Sequence, residues 1–260
     1  MISKLLISRI NNKSNNFTQQ TYLTGIQVVK HNEKIIIDYI ITMGGTKMSQ
    51  WQTWFHEKQV ERTITALKKN NFEALFVPDS KAAFEEVMKR IPDGTTVSVG
   101  GSITLGQVGL LDALEKRKIN FIFPMKQGKT PEEVHALIQK TFLSDIYLSG
   151  TNAITEDGKL FNVDATGNRV GAMFIGPKKV IVVAGLNKIV PDMEAAEERI
   201  RWWVGPQNAK RLNRKTPCVE TGVCSDCSSP ERICNINVTL RKKPGRTDVA
   251  VILVGENLGI

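Results

Sequence analysis

The chain has 260 residues, of which 41% are apolar and 23% charged, a globular composition with length enough for one large core. No apolar run approaches the roughly 20 residues of a membrane-spanning helix, which argues against a membrane span. The net charge is +9, but nine bases against three acids fall between Lys210 and Arg246. The excess is therefore local, not the basic face expected of a nucleic-acid-binding body.

Residues 1–47 read differently from the rest, with Ile, Asn and Lys dominant. Ser8 and Arg9 interrupt Leu5–Ile7, too short a run for the apolar core of a secretory signal, so a cytoplasmic protein is expected. Ile, Asn and Lys are what AT-rich non-coding DNA yields on translation. Gly44-Gly45-Thr46-Lys47-Met48 can be encoded GGA-GGT-ACA-AAA-ATG, a ribosome-binding sequence before a start codon. The expectation is a leader over 1–47 that is not native or is disordered, with translation starting at Met48 and a single α/β domain over 48–260.

From Met48 onward, helix and strand signals alternate. Val60, Ile64 and Leu67 have helical spacing that ends at Asn70-Asn71. Ala74–Val77 is a short strand, and Ser80 is the expected cap of a helix burying Phe84, Val87, Met88 and Ile91. Thr95–Val99 is β-rich and runs into Gly100-Gly101. A helix is expected from Thr104 to Glu115, with Thr104 as its cap, and a strand at Asn120–Phe123. Thr130-Pro131-Glu132-Glu133 is a capping box with proline at the first helical position, followed by a stripe of Val134, Leu137, Ile138 and Phe142. Ile146–Leu148, Val180–Ala184 and Val249–Val254 have the length of buried strands, and Glu194–Val204 reads as a helix. The alternation predicts an α/β fold with a mainly parallel sheet covered by helices. Ligands bind beyond the carboxyl ends of such strands, which selects the loops after Val99, Leu148 and Ala184.

The first of these loops carries Gly100, Gly101, Ser102 and Thr104. Glycine lets backbone N–H groups approach an anion and the hydroxyls add donors. The segment lacks both the dinucleotide fingerprint and the phosphate-loop lysine, and a plain strand-to-helix turn is the alternative. Ser149–Gly171 is crowded with polar side chains. Glu156–Lys159 is a hairpin turn between Ala153–Thr155 and Leu160–Val163. Asn152, Asn162, Asp164, Asn168 and Arg169 are candidates to bind a small anionic, polyhydroxylated or phosphorylated ligand, with Lys188 adding a cation from the third loop. The alternative is that these amides serve turns.

The stretches Gly100–Leu114, Ser149–Asp192 and Thr216–Asn235 resemble the LUD-domain family, the lactate-utilization proteins. The resemblance covers Trp51 to Leu253. It implies a fold like that of ribose-5-phosphate isomerase and coenzyme-A transferases, and a role beside iron–sulfur proteins that oxidise lactate to pyruvate. Sugar-phosphate isomerases of this fold carry an acid in a G-A-D stretch where this chain has Gly150-Thr151-Asn152. An amide cannot abstract a proton there, which leaves Glu156, Asp157 and Asp164 as candidate acids or bases.

Cys218, Cys224, Cys227 and Cys234 are all the cysteines in the chain and lie within 17 residues, spaced C-x5-C-x2-C-x6-C. Such a cluster signals metal ligation more than disulfides. A structural zinc site pairs two C-x2-C knuckles, whereas a compact run with one knuckle suits a [4Fe–4S] cluster. The cluster is favoured, with zinc as the alternative. Lys210, Arg211, Arg214, Lys215 and Arg232 would compensate the thiolate charge, and Trp202 and Trp203 are expected in core packing. The leading reading is a component of an iron–sulfur oxidoreductase acting on lactate or a similar 2-hydroxy acid, with iron–sulfur redox partner proteins and no nucleic acid. The competing readings are a sugar-phosphate or acyl-CoA isomerase or transferase with structural zinc, and a non-catalytic metal-bearing binding module.

Overall fold

The computed structural model describes residues 49–260 in full, together with the backbone of four short strands between residues 26 and 47. The chain divides into two units, Met1–Ile40 and Ile41–Ile260. In the first, β1 (Ile26–His31) pairs antiparallel with β2 (Lys34–Tyr39), His31 opposite Lys34. β2 carries the apolar run Ile35–Ile37. Its partner β1 has no period-two pattern to announce it. The expected start at Met48 lies outside the described residues.

The second unit opens with the two-residue strands β3 (Thr42–Met43) and β4 (Thr46–Lys47), which pair antiparallel. Helix α1 (Gln50–Lys69) begins ten residues before its first expected apolar position. A capping box sets that start: the Ser49 hydroxyl accepts from Gln52 N, and Gln52 Oε1 accepts from Ser49 N at 2.9 Å. β5 (Glu73–Val77) follows, then α2 (Ser80–Lys89). The α2 cap is Asp79, whose carboxylate accepts from Ala82 N at 2.8 Å, and not Ser80. Ser80 instead donates to Glu256.

β6 (Thr96–Val99) leads into α3 (Ile103–Gln107) and α4 (Leu110–Glu115). The single helix expected there is broken at Gly109, whose φ of 80° no helix interior accommodates. Ser102, not Thr104, caps α3, and Thr104 is buried inside it. β7 (Asn120–Ile122) precedes α5 (Pro131–Thr141), which has the expected capping box at Thr130 and Glu133. The expected α5 stripe is only half-buried.

Next come β8 (Ile146–Ser149), the hairpin β9 (Ala153–Thr155) and β10 (Leu160–Asp164), the short α6 (Asn168–Gly171), β11 (Lys179–Gly185) and β12 (Ile189–Val190). α7 (Met193–Arg199) continues through a π turn over Ile200–Val204 into α8 (Gly205–Arg211). Pro206 explains the widened turn. It has no N–H for the Trp202 carbonyl four residues back, and its ring would strike that oxygen in a regular helix. The chain closes with α9 (Pro217–Thr221), β13 (Ile236–Leu240) and β14 (Asp248–Val254).

Six strands form one parallel sheet in the order β5-β14-β11-β8-β6-β7. Its strands are the apolar runs of the sequence, and Val249–Val254 are all at most 1% exposed. On one face, Val97, Val99, Leu148, Ile181, Val183, Ile252 and Val254 pack with Ala83 and Val87 of α2, Leu105 of α3, and Leu110 and Leu114 of α4. A second sheet, β12-β9-β10-β13, is mixed, with β12 parallel to β9 and the other pairs antiparallel. It packs Ala153, Phe161 and Val190 against Ala196, Ile200 and Val204 of α7 and the π turn. No helix among the described residues is long and apolar enough to cross a membrane.

Candidate functional site

β6 and β8 are neighbours in the parallel sheet, yet their connections leave in opposite directions. The chain after β6 goes to β7 on one side, and the chain after β8 goes through the β9–β10 hairpin to β11 on the other. In open α/β sheets, ligands bind where connections diverge in this way. The glycine loop and Gly150 lie together at the ends of β6 and β8. Gly100 N donates to the Leu148 carbonyl at 3.1 Å, and a side chain on Gly100 would meet the Tyr147 hydroxyl at 2.5 Å and Arg169 Cγ at 3.2 Å. Only glycine fits there. The position corresponding to a Cβ on Gly150 lies 3.1 Å from Ser102 Oγ and 3.8 Å from Thr104 Oγ1. Gly101 is exposed at the rim.

Tyr147 was not among the residues singled out by the sequence, where it reads as one more apolar strand position. Period-two alternation turns it away from Leu148, and it is 1% exposed. Burial pushes its phenol well above the usual range, and Arg169 offsets part of that shift. It therefore stays protonated.

The polar segment after β8 forms a closed network around Arg169. Its guanidinium donates to Asp164 Oδ1 at 3.2 Å, Asn162 Oδ1 at 2.7 Å, Asn152 Oδ1 at 3.0 Å and the Val163 carbonyl at 2.9 Å. Asn152 Oδ1 also accepts from Val163 N, and Asn162 Oδ1 from Asn152 N. Asp164 Oδ2 accepts from Arg169 N and Val170 N, which fixes the start of α6. Asn168 takes the Thr166 hydroxyl within its own loop. Three expected ligand readers, Asn152, Asn162 and Asp164, are thus gathered, but they face Arg169 rather than open space. One donor is left over: Asn162 is fully buried and its Nδ2 has no partner.

The candidate acids do not converge. Glu156 pairs with Arg62 at 2.7 Å and accepts from Gln59 Nε2 at 3.0 Å, tying the hairpin turn to α1. Asp157, in the same turn, pairs with Lys159 at 2.5 Å and accepts from Thr155. Burial raises its pKa, but the bonds from Lys159 and Thr155 outweigh that and hold it below the usual carboxylate range. Asp164 lies at the other end of β10, about 14 Å along the strand. An open groove of 380 Å³ beside the turn is lined by Asn70, Asp157, Lys159, Arg241 and Lys242.

Lys188 closes a 3-10 turn after β11 and is 4% exposed. It donates to the Ile260 carbonyl. Burial, then the positive charge of Arg199, lowers its pKa to about 7.

The four cysteines line one small pocket of about 30 Å³ together with Ile200, Gly205, Pro206, Ala209, Thr216 and Arg232. All four are free and half-buried. Among the described residues no group of three or more His, Cys, Asp or Glu side chains is placed to hold a metal ion. Burial raises the Cys234 thiol, Arg232 opposes that, and the other three cysteines add to it. The segment is held by its own bonds. Arg232 ion-pairs with Asp226 at 2.7 Å, and Glu231 accepts from Lys215 N at 2.9 Å. Trp202 and Trp203 are 60% and 56% exposed, so the core packing expected of them does not occur: the π turn buries Ile200 and Val204 and turns the residues between outward.

The LUD-domain family model matches residues 60–254. The chain belongs to the LUD-domain family. As a LUD-domain protein it is of the lactate-utilization type at the level of the family. The match runs from within α1 to the last residue of β14, and so takes in both the glycine loop after β6 and the cysteine pocket. Among solved structures, this LUD-domain chain is similar to a DUF162 family protein from Deinococcus radiodurans, with 14% identity, a TM-score of 0.46, and coverage of 77% of this chain and 98% of that one. It is also similar to eIF2B beta from Chaetomium thermophilum, with 19% identity, a TM-score of 0.32, and coverage of 44% of this chain and 39% of that one. No curated protein matches it.

Proposed function

We propose that the protein is a component of an iron–sulfur oxidoreductase system acting on lactate or a similar 2-hydroxy acid. The observation that carries this reading is that all four cysteines of the chain line one pocket. Cys218, Cys224, Cys227 and Cys234 would hold a [4Fe–4S] cluster, which accepts and returns single electrons when bound. A cubane takes one thiolate at each of its irons, so its ligands surround a body. A zinc tetrahedron needs all four sulfurs about 2.3 Å from one point. The run of spacing with one C-x2-C knuckle favours the cluster for the same reason.

The chain's own residues have separate tasks. Arg232 binds the backbone of the cysteine loop and sets positive charge beside the thiolates. The strand ends where the glycine loop and Gly150 lie together would take the small anion, beside Ser102 and Thr104. The internal pairing of Glu156, Asp157 and Asp164 leaves none of them poised as a general base, which weighs against isomerase chemistry. The exposed Trp202 and Trp203 beside the cysteine pocket offer a face for an iron–sulfur partner protein. Anaerobic purification with visible spectra before and after dithionite tests the reading. A brown protein that bleaches supports it, and a colourless one sinks it.

A further inference from the structure

The loop between β13 and β14 brings two cations into the groove beside the hairpin turn. The groove holds 380 Å³ and is lined by Asn70, Asp157, Lys159, Arg241 and Lys242. That is the volume of a small-molecule site, yet no apolar side chain lines it. Three bases stand against one acid, and Asp157 is already neutralised. It pairs with Lys159 at 2.5 Å and accepts from Thr155. Arg241 and Lys242 are exposed, and among the described residues neither has an ion pair or a side-chain hydrogen bond. Consecutive side chains of an extended strand point to opposite sides. Here the chain bends at Lys242, and both side chains line the same groove.

Hydrogen bonds fix the walls of the groove. Asn70 caps the end of α1, and its Nδ2 donates to the carbonyls of Asp157 and Gly158 at 2.9 Å each. Lys243 N donates to the Asn70 carbonyl at 2.9 Å. One residue thus ties the hairpin turn to the β13–β14 loop. Gly158 has a φ of 80°, and a side chain there would lie 2.6 Å from the backbone of Ala66 and Leu67, so the turn sits hard against α1. Lys68 and Lys69 are exposed in the last turn of α1. They add positive charge next to Asn70 and offset the negative end of the helix. Asn70 precedes β5, and the bend at Lys242 precedes β14, which puts the groove at the amino ends of these parallel strands. The glycine loop follows β6 and lies at the opposite, carboxyl end.

We propose that this groove binds a compact polyanion, a small molecule carrying two neighbouring phosphate or carboxylate groups, held by Arg241 and Lys242. The arginine fork matches one oxyanion, and the lysine supplies a point charge for the next. With no apolar lining, the groove offers nothing to a hydrophobic body on the ligand. Two cations reward two linked anionic groups, so a single phosphate binds more weakly. The site is separate from the one that would take a 2-hydroxy acid and from whatever the cysteines hold.

The test is titration calorimetry of the full chain with pyrophosphate, tricarballylate and inorganic phosphate at constant, low ionic strength. Metal content is measured before and after, so that chelation does not pass for binding. Pyrophosphate or tricarballylate is expected to bind at least about tenfold more tightly than phosphate, the worth of one further charge-assisted bond. A response to pyrophosphate alone marks linked phosphates, and one to tricarballylate alone marks carboxylates. Arg241→Gln and Lys242→Gln should each weaken binding about fivefold or more, because the groove is open and its charges are partly screened. Both side chains are exposed, so both variants should melt with the wild type. Arg246→Gln removes an exposed base of the same loop that does not line the groove, and it should bind as the wild type does. No binding by the wild type, equal binding by the Arg241 and Lys242 variants, or an equal loss in Arg246→Gln, the mark of diffuse charge attraction, would overturn the proposal.

Discussion

Arg232 donates through Nη1 to the Cys227 carbonyl at 2.6 Å. Its Nε reaches the Cys234 carbonyl at 3.2 Å, so one side chain spans the longest gap in the cysteine spacing. Groups that orient ligands in this way commonly set metal affinity by about 10- to 100-fold when removed. Arg232→Met is therefore expected to lose iron to a chelator at least about tenfold more readily than the wild type. Chelator competition followed by absorbance reads this. Equal retention would mean that Arg232 only decorates the loop.

Removing Arg169 should be a stability event rather than a loss of ligand affinity alone. Asp164, 9% exposed, would keep its backbone donors but lose its ion partner, and Asn152 and Asn162 would each lose one donor and keep a backbone one. Breaking a buried pair costs about 3–5 kcal/mol, so Arg169→Ala should lower the melting temperature by about 10 °C for a chain of this size. A change of a degree or two, read by calorimetry, would show that the network is not holding the segment.

Glu156 is predicted to be structural. Its partner Arg62 is 51% exposed and the pair is screened by water, so Glu156→Gln should cost about 1 kcal/mol or less. Iron content and anion binding should remain as in the wild type. A loss of anion binding by Glu156→Gln with intact folding would restore it as a site residue.

Asp145 gives the acid response a specific contributor. A hydrogen bond from Lys178, then one from Thr96 N, lowers its pKa from the ordinary 3.8. A carboxylate whose folded pKa lies below its unfolded value adds stability that is fully present above the unfolded value. That stability is lost as pH falls through the folded one. The window is therefore below 3.8. Melting temperatures of the wild type and Asp145→Asn should converge as pH falls through that window and separate above it. A constant gap would contradict the assignment.

The parallel sheet was legible because strands buried on both faces must be apolar throughout, as Val180–Ala184 and Val249–Val254 are. The start of α5 was legible because Thr130 and Glu133 satisfy each other's backbone. The cap of α2 was misplaced by one residue because Asp79 and Ser80 are both capping residues, and only the contact of Ser80 with Glu256 separates them. At the site, residue types identified the polar segment and the cysteines, but not which polar groups face inward. Arg169 looked like a ligand cation and is engaged with four acceptors of its own loop. Arg199 falls in a stretch read only as helix, yet its Nε and Nη2 are buried without partners. Burial decides both, and it depends on packing between segments far apart in sequence.

Cys218, Cys224, Cys227 and Cys234 are proposed to hold one cluster between them. Native mass spectrometry of anaerobically purified protein counts its atoms directly. Cluster ligation predicts a species heavier than the bare chain by about four irons and four sulfides, lost when Cys227 is replaced by serine. A bare chain, or one carrying a single zinc, would contradict it.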